Sequence, residues 1–371
     1  MYVIDRNHAG STVDISAECG EHFVRFDGTI TPGTLGSLLQ VTGKKIDLAP
    51  ENILAAAQVC GVPPHQLGLK HLVRPAEFDL LVADFKDKVE KVVAPFASYV
   101  PHYSQNIETL NGCSRIKLRT APEGVSLDSG GFIDKIVYDT SHTKTGRMSV
   151  VSGYNVLTAG KEFKKLIVSR FAGGKIVEID YSALEPRVAL AASGSQLALV
   201  PDVYTDIGNK IGLSDRGTVK QLIISFLYGA GNATMRRLTN LSDSALNEKL
   251  KIMAKLFKRK EIVRDLRQQL SKSGYFLNHA GRPVFPGSEK EGLLFNNYCQ
   301  SSAVDVAISG FTSLLEQINE LEMKAVPLCF IHDAIILDVP GRELSKITDI
   351  SGSLSTYLGL DFPTKLSIVN I

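Results

Sequence analysis

Three stretches of the chain hold residues whose types and spacing could do chemistry. In KIVEIDYSALEPRVAL (175–190) an alternating apolar run ends in Asp180, Tyr181 and Ser182 break the run, and Glu185 and Arg187 follow at the start of a helical pattern. A strand that delivers a carboxylate and turns at once into a helix places a metal ligand beside a cleft. In VPLCFIHDAIILDV (326–339) two apolar runs flank His332-Asp333, which reads as a tight hairpin with the only polar residues at its tip. Burying an aspartate there costs on the order of several kcal/mol unless a partner or cation meets it. An Asx turn explains Asp333 alone; a second strand-borne acid facing Asp180 explains both. The third stretch, LSDRGTVKQLIISFLYGAG (213–231), repeats Arg216, Lys220, Ile224 and Tyr228 every four residues, one slanting stripe on a helix. Ser214 or Asp215 can cap that helix, and Gly229-Ala230-Gly231 ends it. Two cations in its first turns and an aromatic at its far end could grip a triphosphate and stack on its base. A helix with two solvated cations and a core tyrosine is the plainer alternative.

The elements that must position these residues follow from pattern. Residues 114–180 suggest sheet, in SRIKLRTA, GFIDKIVYDT and TKTGRMSVVSG, with Arg147 at the head of a strand and the basic amphipathic piece KEFKKLIVSRF before Asp180. Pro201-Asp202-Val203-Tyr204 opens a further helix. Residues 236–272 are strongly basic on helical patterns, which fits either a phosphate backbone or a solvated face. GYFLNHAGRPVF (274–285) reads as strand and turn, and 295–318 as a long helix offering Asn296 and Gln300 one turn apart. Upstream, residues 1–45 read as a few small strands without an assignable role, and 48–96 as one or two amphipathic helices.

Composition narrows the class. The chain has 371 residues, 44% hydrophobic and 22% charged, as in an ordinary globular protein of one large or two to three smaller domains. Its net charge of +2 carries no nucleic-acid argument by itself. Five scattered cysteines without a CxxC pair fit a reducing compartment and argue against a zinc site or a disulfide framework. The N-terminus lacks the pattern of a signal peptide, and no apolar run approaches the roughly 20 residues of a membrane span. The expected location is cytoplasmic.

In order and spacing, these stretches resemble the polymerase core of family A DNA polymerases, the bacterial polymerase I type, from about Lys144 to Val339. DYSALEPR is similar to the family's DYSQIELR; Arg216, Lys220, Tyr228 and Gly229 form R-x3-K-x7-YG; Asn296 and Gln300 form N-x3-Q. HDA stands where the family has HDE, and TGRMS where it has TGRLSS. The resemblance implies an α+β right-hand fold with an antiparallel palm sheet, helical fingers and a short helical thumb. On that reading 1–45 is an appendage, 46–113 thumb, 114–201 the first part of the palm, 202–291 fingers and 292–371 the second part of the palm. It implies DNA-directed addition of dNTPs to a primer 3′-hydroxyl. Asp180 and Asp333, with the Tyr181 carbonyl, would hold two Mg²⁺ ions, for which Mn²⁺ can substitute. Arg216 and Lys220 would bind the triphosphate, and Tyr228 would stack near the templating pair. Glu185 would lie under the sugar and, with Tyr228, exclude a 2′-hydroxyl. Arg147, Arg282, Asn296 and Gln300 would contact the minor groove of primer–template DNA. His332 would touch the primer end, and Gly229 is counted on the DNA-facing side.

The sequence also departs from that pattern. Ala334 removes the third acid, and Glu178, two residues before Asp180 on the same strand face, is expected to fill part of its electrostatic role. Ile224 stands for a mid-helix aromatic in the nucleotide site, and Tyr204 for a phosphate-contacting histidine. An exonuclease-type acid pair is not seen upstream, so polymerisation without proofreading is expected of this polypeptide. A separate exonuclease, helicase-primase or processivity factor is the implied company, and the small size fits a viral or mobile-element protein acting in host cytoplasm. Two rivals remain. A single-subunit RNA polymerase shares the two aspartates but lacks an acid at the Glu185 position. A catalytically silent DNA-binding subunit would have no need to keep both aspartates and both cations.

Overall fold

The computed structural model divides the chain into two compact units, Met1–Ser98 and Tyr99–Ile371. It describes residues 100–140, 142–356 and 358–369, and upstream only positions 55, 58–61, 76, 80 and 94. The expected N-terminal appendage lies outside the described residues, as does most of the expected thumb; only the last stretch of that thumb, 100–113, is described throughout.

In chain order the second unit comprises α1 (Val100–Asn111), β1 (Val137–Asp139), β2 (Ser149–Ser152), α2 (Lys161–Leu166), β3 (Lys175–Tyr181), α3 (Leu184–Ala192) and α4 (Val203–Ile211). There follow α5 (Arg216–Leu227), α6 (Asn232–Thr239), α7 (Asp243–Leu256), α8 (Arg259–Ser273), β4 (Phe276–Leu277) and β5 (Pro283–Val284). The chain then runs through α9 (Glu291–Glu320), β6 (Val326–Ile331), β7 (Ala334–Val339), α10 (Leu344–Ile350), β8 (Ser353–Leu354) and β9 (Phe362–Ile368).

The central sheet is antiparallel, in the order β6-β7-β3-β9-β8. The two strands carrying the acids thus lie side by side although about 150 residues separate them in sequence. β3 has strand-forming residues on both faces, but they do different things. Val177, Ile179 and Tyr181 are buried on one face, where the Tyr181 ring meets Phe311 of α9 at 5.5 Å between centroids. Glu178 and Asp180 point to the other face, Glu178 half-buried and Asp180 exposed.

α9 is the spine of this unit. At 30 residues it is about 45 Å long, and its middle, from Ser301 to Thr312, is almost entirely buried. It can run that close to β3 because position 310 is glycine; a Cβ there would collide with the Tyr181 hydroxyl. α1 lies along the same helix, with Thr109 and Thr312 hydroxyls 2.7 Å apart and Gln105 donating to Glu316 at 2.9 Å. The helices α4 to α8 form the lobe between β3 and the second half of the sheet. Their joints carry visible start signals: Asp202, Asp215 and Ser242 are the N-caps of α4, α5 and α7, each accepting a backbone N–H. The sheet expected over 114–180 is mostly extended chain: β1 and β2 pair, and two isolated bridges link Lys117 to Phe132 and Leu118 to Ile167.

Candidate active site

The site is built on the ends of two strands. Asp180 is the penultimate residue of β3, and Asp333 sits in the two-residue turn between β6 and β7. His332 takes the left-handed conformation at φ 57° to make that turn tight. The Tyr181 N–H donates to the Asp333 carbonyl at 3.1 Å, which extends the ladder one residue past the Asp180–Ala334 pair. Both carboxylates consequently project from the same rim of the sheet.

Their electrostatics record the crowding. Asp180 is pushed up to about 6, first by desolvation, then by the charges of Asp333 and Glu178, while Lys164 and Lys220 pull it back. Asp333 is raised as well, chiefly by burial, against the lowering pull of its own backbone N–H, His332, Arg147 and Lys220. A pair of acids that resists ionising together is a site that favours a cation. Directly across the strands Asp180 faces Ala334 on one side and Lys365 on the other; directly paired residues share a face. The position where the resemblance leads one to expect a third acid is thus a buried methyl group directly across from Asp180. Glu178, expected to supply part of that charge, is held in a short ion pair by Lys164 of α2. Among the described residues no group of three or more His, Cys, Asp or Glu side chains is arranged to hold a metal. Two carboxylates and a strand-end carbonyl suit a Mg²⁺ ion, which keeps waters and takes further oxygens from substrate phosphates.

α5 brings the cations. Its stripe of Arg216, Lys220, Ile224 and Tyr228 is exposed at Arg216, Lys220 and Tyr228 and half-buried at Ile224. The Lys220 charge favours ionisation of both aspartates, more weakly than the other groups acting on them. Tyr204 on α4 is buried beneath both cations, its ring 5.2 Å from the Arg216 guanidinium and 5.9 Å from the Lys220 ammonium. It forms an aromatic floor for them. Arg216 also grips Asp202 at 2.7 and 3.2 Å, and that contact draws the Asp202 carboxyl down to about 2.

A second constellation closes the far end of the stripe. Arg147 donates to Glu185 Oε1 at 2.6 Å and to the Tyr228 hydroxyl at 3.3 Å. Three residues separated by up to 81 positions thus meet beside the acids. Asn296 and Gln300, one turn apart on α9, are half-buried, and the Asn296 Oδ1 is buried with no hydrogen-bond partner. His332 is exposed at the rim.

Two of the sequence expectations take a different form. Arg282 is 2% exposed and cannot reach a minor groove from where it lies. Its Nε donates to Asp305 at 2.9 Å, and its Nη2 donates to the Thr145 and Ser301 carbonyls at 2.8 and 3.1 Å. It ties the loop carrying Arg147 to α9, so its contribution is to position Arg147. Gly229 lies against backbone: at φ 67°, a Cβ on it would fall 2.8 Å from the Gly292 Cα. Glycine is required there by the close crossing of α5 and α9. Sequence reasoning missed Lys164, Lys365 and Asp202. It also missed the work of Arg187, which is buried and donates to the Ser182, Ala198, Val200 and Pro201 carbonyls, clamping the segment between β3 and α4. A basic residue in a motif was the only signal for that last one.

Two strand-end acids thus stand at one rim of an antiparallel sheet, beside a helix with a cationic stripe. No family model matches the sequence. Among solved structures, the chain is similar to the POL domain of Pol1 from M. smegmatis in complex with DNA primer-template and dNTP, with a TM-score of 0.50 and 15% identity. The similarity covers 89% of this chain and 62% of that one, so the chain spans less than two thirds of that neighbour. At such identity the likeness is one of fold. Among the described residues no helix is long and apolar enough to cross a membrane.

Proposed function

We propose that the chain is a template-directed DNA polymerase, adding dNTPs to a primer 3′-hydroxyl by phosphoryl transfer at a pair of divalent cations. The observation that carries this reading is the meeting of Asp180 and Asp333 at one sheet rim, where the Asp333 charge opposes ionisation of Asp180 and Lys220 favours ionisation of both. Asp180, Asp333 and the Tyr181 carbonyl would hold Mg²⁺, which supplies charge neutralisation at the transferring phosphate and eases loss of the 3′-hydroxyl proton.

The remaining steps belong to the side chains. Lys220 draws the triphosphate over the acids. Arg216 takes the outer phosphates once it lets go of Asp202, and Tyr204 supports both cations from below. Arg147 faces the primer–template, with Asn296 and Gln300 beside it, on α9, offering amide N–H donors to the minor-groove acceptors. Glu185, fixed by Arg147 within reach of Tyr228, supplies the acid expected beneath the sugar. A ribose 2′-hydroxyl would have to displace that bonded set, so deoxynucleotides are the favoured substrates, against the alternative of an RNA polymerase.

Primer extension with dNTPs and rNTPs in parallel tests both points. Mg²⁺-dependent extension with dNTPs is expected, with rNTPs weaker by at least ~10-fold, and Glu185→Ala is expected to narrow that gap. Extension by rNTPs in preference to dNTPs, or binding of primer–template without any extension, would overturn the reading.

A further inference from the structure

The basic stretch that ends in α8 has no part in the site above, and its charge is unusually concentrated. Between Lys249 and Lys272 there are nine basic and two acidic residues (9 − 2 = +7), against +2 for the whole chain. Seven of the nine are exposed: Lys251, Lys255, Lys258, Lys260, Arg264, Arg267 and Lys272. The other two have protein partners, Arg259 pairing with Glu291 at 3.2 Å between the Phe226 and Phe295 rings, and Lys249 lying 3.8 Å from Glu248.

Helical geometry sorts the rest. On α8, Lys260, Arg264 and Arg267 fall within about 60° of one another, while Val263 and Leu266 carry the buried side. The two acids, Glu261 and Asp265, lie on a flank about 100° round from the stripe, and Asp265 is engaged by Gln269 at 2.8 Å. None of the three stripe residues is in an ion pair among the described residues; Arg267 donates only to the Glu289 carbonyl, at 3.3 Å. The turn before the stripe adds Lys255 and Lys258. Cations one turn apart, about 6 Å along the helix, repel one another weakly in water, and a flexible chain of phosphates can follow them.

We propose that this face of α7 and α8 binds the backbone of single-stranded nucleic acid, a contact separate from the catalytic cleft. That the strand is the template rests on the polymerase reading; that the face takes a phosphate backbone does not. Charge complementarity without aromatic residues on the stripe implies binding that is independent of base and steep in salt.

The test is equilibrium binding of two labelled primer–templates, one blunt and one with a long 5′ overhang, over a salt series. Wild type is compared with the triple variant Lys260→Gln/Arg264→Gln/Arg267→Gln and with a charge-matched control, Lys175→Gln/Lys324→Gln/Lys346→Gln, at exposed lysines elsewhere. Wild type is expected to bind the overhang substrate more tightly. The stripe variant is expected to lose about tenfold of that affinity and about 2 from the log–log salt slope, at ~0.7 per phosphate contact, with blunt binding unchanged. The control should match wild type. An overhang gain that survives in the stripe variant, or an equal loss in the control, overturns the proposal. So does a wild type indifferent to the overhang, which would leave the face to an acidic protein. Because no turnover is needed, overhang binding that depends on the stripe in a protein that cannot extend primers would uphold this inference while sinking the polymerase.

Discussion

The β3–β7 strand pair carries an aspartate at each end of one sheet face, and the two are treated in opposite ways. At one end Asp338, cross-strand from Ile176, is 1% exposed and is met completely. It accepts from the Ser169 hydroxyl at 2.5 Å, the Arg170 N–H at 2.9 Å and the Arg170 Nε at 3.1 Å. Four residues away, about 13 Å along the strand, Asp180 sits across from Ala334 and close to the like charge of Asp333. Evolution of a stable sheet explains the first end: a buried acid with its cation bonded in place. It does not explain the second, where opposing charges are available but directed at the cleft. An acid satisfied by the protein holds the fold; an acid left to be satisfied from outside marks the site.

That contrast can be broken by exchanging what each end does under mutation. Asp180→Ala and Asp333→Ala are expected to lower primer extension by ~10³-fold or more, several kcal/mol of lost transition-state stabilisation, while the proteins stay folded. Asp338→Ala is expected to do the reverse. Removing the partner of Arg170 should destabilise by about 3–5 kcal/mol in denaturant melts, with residual activity tracking only the folded fraction. Lys220→Ala sits between them, with about 10²-fold lost from kcat/KM for the nucleotide in steady-state kinetics, since its charge serves both the acids and the substrate.

The smallest effect is the most diagnostic of the electrostatics. A carboxyl whose folded pKa lies above its unfolded value is destabilising when ionised, a cost absent below the unfolded pKa and complete above the folded one. For Asp180 that window ends at about 6. Asp180→Asn should therefore raise the melting temperature of cation-free protein above pH 6, on the order of one or two degrees since the group is partly solvated. The difference should vanish near pH 4, and saturating Mg²⁺ should reverse it by stabilising only the wild type.

Much of this site was legible from local pattern. The β6–β7 hairpin, the cap at Asp215, the four-residue stripe on α5 and the Asn296–Gln300 step each depend on neighbours within a turn or a strand. What escaped depends on pairing between distant segments. Arg282 reads as an exposed basic residue in a β4–β5 turn until Asp305, 23 residues later on the buried side of α9, captures it. Lys365 is one lysine in an unremarkable C-terminal strand, and only the β3–β9 register sets it opposite Asp180. Asp202 is recognisable as a helix cap, but its second role, holding Arg216 14 positions away, needs the packing of α4 against α5. The expected appendage falls outside the described residues, and the last part of the expected thumb, α1, is found packed along α9.

The central claim is that Asp180 and Asp333 serve one cation site. Mn²⁺ binding, followed by the loss of the free-ion electron paramagnetic resonance signal, addresses it without turnover. Wild type and Asp338→Asn should bind Mn²⁺ alike when dNTP and a primer–template with a dideoxy-terminated, non-extendable primer are present, and Asp180→Ala and Asp333→Ala should each bind at least ~10-fold more weakly. Unchanged binding in either alanine variant would contradict the claim.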